Sequence, residues 1–348
     1  MRIADFDYDL PEELIAQHPV VPRDASRMLV LHRDTGVIEH RRFREFPQFL
    51  RDGDLLVLND TRVIPARLLG HKAGTGGSAE LLLLKTTGAD IWEALARPGR
   101  RLQPGAQVTF GEEALLADIL DVTPGGGRIV RLLPGPGAGG RSVHDLLHAL
   151  GELPLPPYIT QGPPPAQRGV YQTIFAREEG SSAAPTAGLH FTEQVFADLE
   201  ARGVRRTFVT LHVGLGTFKP VQVEYVEEHE IHEEYFSVSE ETAALINATR
   251  ARGGRIVAVG TTSTRTLESA ADADGIVHAQ TGPTRLYIIP GYRFKVVDVQ
   301  LTNFHMPRST LLLLISAFAG REHVLRAYQE AVQERYRFLS FGDAMLML

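Results

Sequence analysis

Residues 59 to about 140 contain short apolar segments that are separated by turns rich in glycine and proline. The segments lie at 63–69, 80–84, 91–96, 106–110, 115–120 and 129–133. None of them has the 3.6-residue period of a helix, and the intervening turns are typical of chain reversals between strands. This pattern predicts a small antiparallel β-sheet or barrel.

The chain on either side of this region has the pattern of an α/β protein. Predicted strands alternate with predicted helices, and a capped helix at 142–151, from Ser142 to Gly151, precedes the second stretch. Residues 1–58, with a helix-like segment at 9–17, are too few for a core of their own. We therefore expect an α/β (mixed α+β) catalytic domain formed by residues 1–58 and 151–348, with a small antiparallel β-barrel domain, residues 59–150, inserted into it.

The composition limits the chemistry and the location. The 348 residues include no cysteine, which excludes thiolate nucleophiles and cysteine-ligated metals. The net charge of −6 favours a small-molecule enzyme over a general nucleic-acid binder, although only four of the 36 basic residues are lysine. The longest apolar run, at 311–319, is too short for a bilayer and the N-terminus is acidic, so we expect a cytoplasmic protein.

Polar residues follow several of the predicted strands, where ligands collect in α/β sheets. After the strand at 204–213, His212 is followed by Gly214 and Gly216, a spacing that suits a phosphate or nucleoside but lacks the third glycine of a dinucleotide site. The strand at 255–259 leads into Thr261, Thr262 and Arg265, which suit a carboxylate or phosphate at a helix N-terminus.

Two further pairs of polar residues occupy comparable positions. Asn303 and His305 follow the strand at 296–301, and Asn59 and Arg62 lie at the predicted domain junction, a favoured place for a cleft.

Two other segments carry histidines. Thr186, Gly188 and His190 form a turn before a helix, and His232 and Glu234 belong to the string HEIHEEY at 229–235. These residues are compatible with a histidine–carboxylate metal site or with general acid–base groups. The spacing matches no metalloprotease signature, which favours acid–base chemistry.

Taken in order, many strings of the chain resemble the S-adenosylmethionine:tRNA ribosyltransferase-isomerase family of queuosine biosynthesis, over nearly the whole length. They include DFDYDLPEELIAQHP (5–19), LNDTRVIPARL (58–68), APTAGLHF (184–191), TLHVGLGTFKPV (210–221), VGTTSTRTLESA (259–270), TNFHMP (302–307) and YRFLSFGDAML (336–346). The resemblance implies a monomer with a β-barrel beside a larger α/β domain. It implies no metal and no cofactor beyond S-adenosylmethionine as co-substrate.

The resemblance also implies the reaction. S-adenosylmethionine donates its ribosyl group to the aminomethyl group of 7-aminomethyl-7-deazaguanine (preQ1) at the wobble position of tRNA. The products are epoxyqueuosine in tRNA, adenine and methionine.

Roles for the candidate residues follow as hypotheses from this resemblance. His190, His212 or His232 serves as the base or proton shuttle, with Glu234 orienting a histidine. Thr261, Thr262 and Arg265 bind anionic groups. The remaining candidates shape the nucleoside pocket (Thr186, Gly188, Gly214, Gly216) or contact the modified base or sugar (Asn59, Arg62, Asn303, His305). The chain departs from the family pattern at Glu233, Thr264 and 162–169.

Two other classes of protein remain as alternatives. One is a non-catalytic tRNA- or nucleoside-binding protein that uses the β-domain as its reader. The other is a metal-dependent nucleoside hydrolase built on the same histidines and carboxylates.

Overall fold

The structure is a computed structural model that describes residues 1–160, 169–214 and 221–348. It divides into a larger unit, formed by Met1–Arg62, Pro156–Glu178 and Ala184–Leu348, and a smaller unit, formed by Val63–Leu155 and Glu179–Ala183. The expected mixed α/β fold with an antiparallel barrel is confirmed. The domain bounds of 58 and 151, and the assignment of catalysis to the larger part, stay predictions.

Strands and helices are numbered here in chain order. The strands are β1 (Arg27–Leu31), β2 (Ile38–Arg42), β3 (Leu55–Asn59), β4 (Thr61–Val63), β5 (Arg67–Lys72), β6 (Ser78–Gly88), β7 (Ile91–Arg97), β8 (Gln107–Phe110), β9 (Leu115–Val122), β10 (Arg128–Pro134), β11 (Glu178–Ser181), β12 (Arg205–His212), β13 (Glu234–Val238), β14 (Ile256–Val259), β15 (Gln280–Thr284), β16 (Val299–Asn303) and β17 (Ala344–Met347). The α-helices are α1 (Val143–Leu150), α2 (Glu193–Ala201), α3 (Glu240–Ala251), α4 (Gly260–Ala270), α5 (Thr310–Ala319) and α6 (Arg321–Gln333).

The smaller unit is a closed barrel of six strands in the order β10-β7-β6-β5-β8-β9, and every neighbouring pair is antiparallel. Alternate residues of each strand point inward, so Leu81, Leu83, Val108, Val130 and Leu132 are buried in the barrel core. Closure leaves no free sheet edge, which explains how such short strands form a stable unit. The turn-separated apolar segments of the sequence are these strands.

The larger unit contains a nine-stranded sheet in the order β15-β13-β12-β3-β14-β16-β17-β1-β2. The four neighbours β12, β3, β14 and β16 are parallel, with Val57 of β3 opposite Thr207 and Ala258 on its two sides. The two central strands, β3 and β14, are buried along their whole length, as is typical of parallel strands that are covered on both faces. The shared direction of the four parallel neighbours brings four strand ends to the same edge of the sheet.

Each face of this sheet is covered by a different set of elements. On one face, Leu56 and Leu58 pack in a cluster with Phe43, Phe191 and Phe196. On the other face, the buried helix α4 packs against β3, β12, β14 and β16. The strand ends therefore lie between two well-packed layers, which fixes the positions of their polar residues.

The structure corrects two details of the sequence-based prediction. The helix-like segment at 9–17 contains a single 3₁₀ turn, Glu12–Leu14. The backbone on both sides of Ile15 instead bonds to Phe338. The N–H of Ala16 donates to the carbonyl oxygen of Phe338, and the N–H of Phe338 donates to the carbonyl oxygen of Leu14. The sequence also predicts a turn at 260–262 and a helix that begins near Ser263. Helix α4 instead starts at Gly260, because φ of +85° at this glycine turns the chain directly from strand into helix.

Within the described residues, every helix is too short or too polar to cross a membrane.

Candidate active site

A cleft opens in the larger unit at the carboxyl ends of the parallel strands, where α/β proteins bind ligands. Its empty volume is about 700 Å³, the open mouth included. Five of the predicted site residues line this strand-end cleft: Thr186, Thr261, Thr262, Asn303 and His305. They come from three separate segments of the sequence, and the parallel sheet brings them together.

The strand-end cleft offers unpaired polar groups to a ligand. Helix α4 begins in its wall, and no side chain caps the first turn, so backbone N–H groups are available to an anion or a polar atom. Thr262 Oγ1 and Asn303 Oδ1 are buried, and neither has a hydrogen-bond partner of ordinary geometry among the described residues, although the side chains of Asn303 and His190 lie close together. Buried polar atoms without partners are costly in a native fold, and a bound polar ligand removes that cost.

His190 lies beneath this cleft, next to Asn303. Its Nδ1 is 2.8 Å from Ser26 Oγ, its ring stacks on Phe43, and its Nε2 is buried and unpartnered within the described part of the chain. Burial lowers the pKa of His190 to about 4, although the nearby Asn303 side chain acts in the opposite direction. The imidazole is therefore neutral at physiological pH.

His305, which lines the cleft directly, is also held in the neutral form. Its Nε2 is 2.9 Å from Thr302 Oγ1, and burial lowers its pKa to about 3. A neutral imidazole in this position acts as a hydrogen-bonding group and carries no charge to the ligand.

The two buried histidines predict how the stability of the chain depends on pH. Their folded-state pKa values lie below the value of about 6.5 for an unfolded chain. Below pH 6.5 the unfolded state binds protons that the native state does not, so stability falls as the pH falls. The slope of the free energy of unfolding against pH approaches about 1.4 kcal/mol per pH unit for each histidine.

Urea unfolding at several pH values between 6.5 and 5 measures this slope. Most carboxyl groups titrate below this range and therefore contribute little to it. We expect His190→Gln and His305→Gln each to reduce it. A slope that is unchanged in both variants would show that neither imidazole is held neutral by the fold.

A second cleft, which we call the Arg265 cleft, shares Leu311 with the first. It is lined by Arg265, Glu234, His229, His232 and Tyr287, among others. Arg265 forms a buried ion pair through Nη1 with Glu234 Oε2, while its Nε donates to the carbonyl oxygen of Leu286. Its Nη2 is buried and has no partner among the described residues, which leaves one guanidinium N–H group for an anionic ligand.

The environments of Glu234 and His232 differ sharply. Glu234 is buried and also accepts a 3.2 Å hydrogen bond from the N–H of Gly214, so it anchors Arg265. His232 is exposed on the wall of the Arg265 cleft. The sequence-based hypothesis was that Glu234 orients a histidine. In the described contacts, Glu234 instead binds the guanidinium of Arg265 and the backbone N–H of Gly214.

His212 and two other candidates lie away from the lining of both clefts. His212 Nδ1 is 2.8 Å from Thr61 Oγ1, and burial lowers the pKa of His212. Asn59 is buried and bonds through its side chain to backbone groups of Leu211 and Thr61, so its amide holds β3 to β12. Arg62 is exposed and donates to the carbonyl oxygen of Ala176.

The three glycine candidates have different surroundings. A Cβ on Gly188 would come within 2.8 Å of Phe175 and Thr173, so the absence of a side chain there serves packing. Gly214 is open on that side and uses its N–H on Glu234. Gly216 lies outside the described residues. Ligand contacts for all three stay predictions.

Four polar residues that line the strand-end cleft were not among the predicted site residues, namely Tyr158, Thr302, Ser309 and Ser340. Tyr158 and Ser340 line the strand-end cleft, and their hydroxyl groups are 2.7 Å apart. Both belong to strings of the family resemblance, LPLPPYI at 153–159 and YRFLSFGDAML at 336–346, and that was the available signal.

The histidines considered for a metal site do not converge. Among the described residues, the one group of three or more side chains with metal-ligand spacing is His144, His148 and Glu179, in the smaller unit. It contains none of His190, His212, His229 and His232.

A polar cleft at parallel strand ends, with a helix N-terminus in its wall, is typical of α/β ligand-binding proteins, and the fold places the chain in this class. Comparison with known families is more specific. The model of a family described as "Queuosine biosynthesis protein" matches residues 3–347, and the chain belongs to this family. The resemblance found in the sequence is thereby confirmed.

Two relatives match the chain over the full length of both sequences. The proteins named S-adenosylmethionine:tRNA ribosyltransferase-isomerase from Moorella thermoacetica and Symbiobacterium thermophilum are 57% and 56% identical to the chain, with all of both chains covered. A crystal structure of S-adenosylmethionine tRNA ribosyltransferase from Thermotoga maritima is 42% identical, with a TM-score of 0.56 over 99% of this chain and 100% of that one.

Proposed function

We propose that this chain transfers and isomerises the ribosyl group of S-adenosylmethionine onto tRNA in queuosine biosynthesis. The observation that carries the proposal is 57% identity, over the whole length of both chains, to a protein named for that activity. The strand-end cleft supports it, because unpaired side-chain oxygens and helix N–H groups suit a nucleoside with polar edges. The acceptor is 7-aminomethyl-7-deazaguanine at the wobble position.

The sulfonium of S-adenosylmethionine sets the order of the steps. It acidifies the protons of the adjacent ribose carbon, C5′, and a base removes one of them. The released electron pair forms a C4′–C5′ double bond as the C4′–O4′ bond breaks and the ring opens. The oxygen left on C1′ then expels adenine, which takes up a proton. The substrate amine adds to C4′ and loses a proton, which leaves an electron pair on C5′ beside the sulfonium. C5′ attacks the aldehyde carbon C1′ and closes a five-membered ring. The alkoxide formed on C1′ then displaces methionine from C5′, so that methionine leaves with the sulfur electron pair as the epoxide closes.

The two clefts suggest how the donor is held. In this proposal the nucleoside occupies the strand-end cleft against Thr186, Thr261, Thr262 and Asn303. The methionine carboxylate or a tRNA phosphate binds the unpaired Nη2 of Arg265, whose position is fixed by Glu234. The C5′ carbon then lies near Leu311, the residue that lines both clefts.

His232 is the best placed of the three histidines to carry the proton. It is exposed on the wall of the Arg265 cleft, where it can reach a ligand and exchange protons with water. The Nε2 of His190 is buried beneath the cleft and suits a positioning role beside Asn303. His212 bonds to Thr61 and is the weakest of the three as a base.

A direct assay separates this function from the alternatives. The purified chain is incubated with S-adenosylmethionine and tRNA carrying 7-aminomethyl-7-deazaguanine, with and without prior chelation of metals. We expect adenine and methionine to be released in equal amounts, and only when that tRNA is present. The rate of release should be the same with and without prior chelation. Binding without release would indicate a non-catalytic tRNA-binding protein, and activity lost on chelation and restored by metal would indicate the metal-dependent hydrolase.

A further inference from the structure

Helix α1 of the smaller unit presents two histidines on its exposed side. Ser142 caps the helix by accepting a hydrogen bond from the N–H of Asp145, and buried leucines hold the opposite side. His144 and His148 are four residues apart, hence one turn apart on the same face. Their ring centroids are separated by 4.5 Å.

A carboxylate from a distant part of the sequence completes the group. Glu179 lies on β11, in the same compact unit as α1. Its Oε1 is 3.3 Å from His148 Nε2, and its Oε2 is 3.9 Å from His144 Nδ1. The three ligand atoms, two nitrogens and one oxygen, lie within 4.8 Å of one another.

We propose that His144, His148 and Glu179 bind one divalent transition-metal cation of the zinc type, with water completing its coordination. Two donors bound tetrahedrally at about 2.0–2.1 Å are roughly 3.3 Å apart. Ligand atoms that are up to 4.8 Å apart therefore approach one another, by up to about 1.5 Å, when the ion binds. Imidazole nitrogens favour zinc, cobalt, nickel or copper, whereas magnesium and calcium prefer oxygen ligands. The cation links α1 to β11 within the smaller unit.

An ordinary ion pair explains this arrangement less well. At 3.3 and 3.9 Å, neither oxygen of Glu179 is at the short distance of a strong hydrogen bond to the ring nitrogen it faces. A bound cation requires both rings to be neutral and uses the converging lone pairs of all three side chains.

The test uses the full-length chain without an affinity tag, after removal of metals by a chelator. Zinc chloride is titrated by equilibrium dialysis with elemental analysis, and cobalt chloride is followed by its visible absorption bands. We expect one tight zinc ion per chain and a cobalt spectrum with nitrogen ligation. His144→Ala, His148→Ala and Glu179→Gln should each raise the Kd for zinc by at least about 10–100-fold, the loss seen when even a supporting outer residue is removed.

His278→Ala is the matched control. His278 also forms an exposed ion pair, 2.8 Å from Asp272, but belongs to no group of three ligands in the described part of the chain. It should leave the zinc Kd unchanged. Absence of tight zinc binding would overturn the proposal, as would binding that survives all three ligand variants or falls equally in the control.

Discussion

Replacing Arg265 by methionine is expected to lower the free energy of unfolding by about 3–5 kcal/mol, because it leaves a buried carboxylate without its cation. The side chains of Arg265 and Glu234 are only 7% and 3% exposed. Water therefore cannot replace the guanidinium, and a hydrogen bond such as that from the N–H of Gly214 does not supply a positive charge. Urea unfolding followed by far-UV circular dichroism measures the loss in the larger unit.

The neighbouring ion pair provides a matched control. Arg285 and Glu233 are 3.2 Å apart, but their side chains are 74% and 40% exposed. Arg285→Met should therefore cost no more than about 1 kcal/mol. Equal losses in the two variants would mean that burial does not determine the strength of the Arg265–Glu234 pair. Fluorescence of Trp92, the only tryptophan of the chain, reports the smaller unit and should be unaffected in both variants.

The second large effect is expected on turnover. His232→Gln should lower kcat by about 10²–10⁴, the range for loss of a positioned proton carrier. The KM for S-adenosylmethionine should change little, because the anion-binding group of the proposal, Arg265, is untouched. Adenine release at saturating tRNA, measured from pH 5.5 to 8.5, gives both constants. The variant should also lose the limb of the wild-type pH profile that reports the base.

His229→Gln controls for nonspecific damage to the same cleft. His229 lines the Arg265 cleft beside Tyr287, and burial lowers the pKa of His229. We expect its kcat to fall less than about tenfold. If His232→Gln retains wild-type turnover while His190→Gln loses it, the proton carrier is the buried histidine and the assignment to His232 is wrong.

Local sequence patterns predicted the elements that local physics determines. The barrel strands and the Ser142 cap both follow from residues close together in the chain. The prediction of a helix at 9–17 was wrong, because backbone groups of this segment bond to Phe338, more than 300 residues away. A helical pattern cannot report a competing partner that is so distant in sequence.

The sequence indicated which candidate residues gather at the strand ends, but not the contacts they make, and their roles in the site stay predictions. Thr261, Thr262 and Asn303 do line one cleft, because parallel strands bring their carboxyl ends to one edge. The pairing of Arg265 with Glu234 was missed, since it depends on how β13 joins β12. Asn59 shows the same limit: its amide serves the backbone of β12, a use that the sequence does not reveal.

The most direct test of the central claim follows the two ends of S-adenosylmethionine separately. The donor is labelled in its ribose carbons in one sample and in its methyl group in another, and each is incubated with the chain and tRNA carrying 7-aminomethyl-7-deazaguanine. The account predicts that ribose label enters the tRNA, one group per modified base, while methyl label is recovered in free methionine. Methyl label in the tRNA with release of S-adenosylhomocysteine, or no label in the tRNA at all, would contradict it.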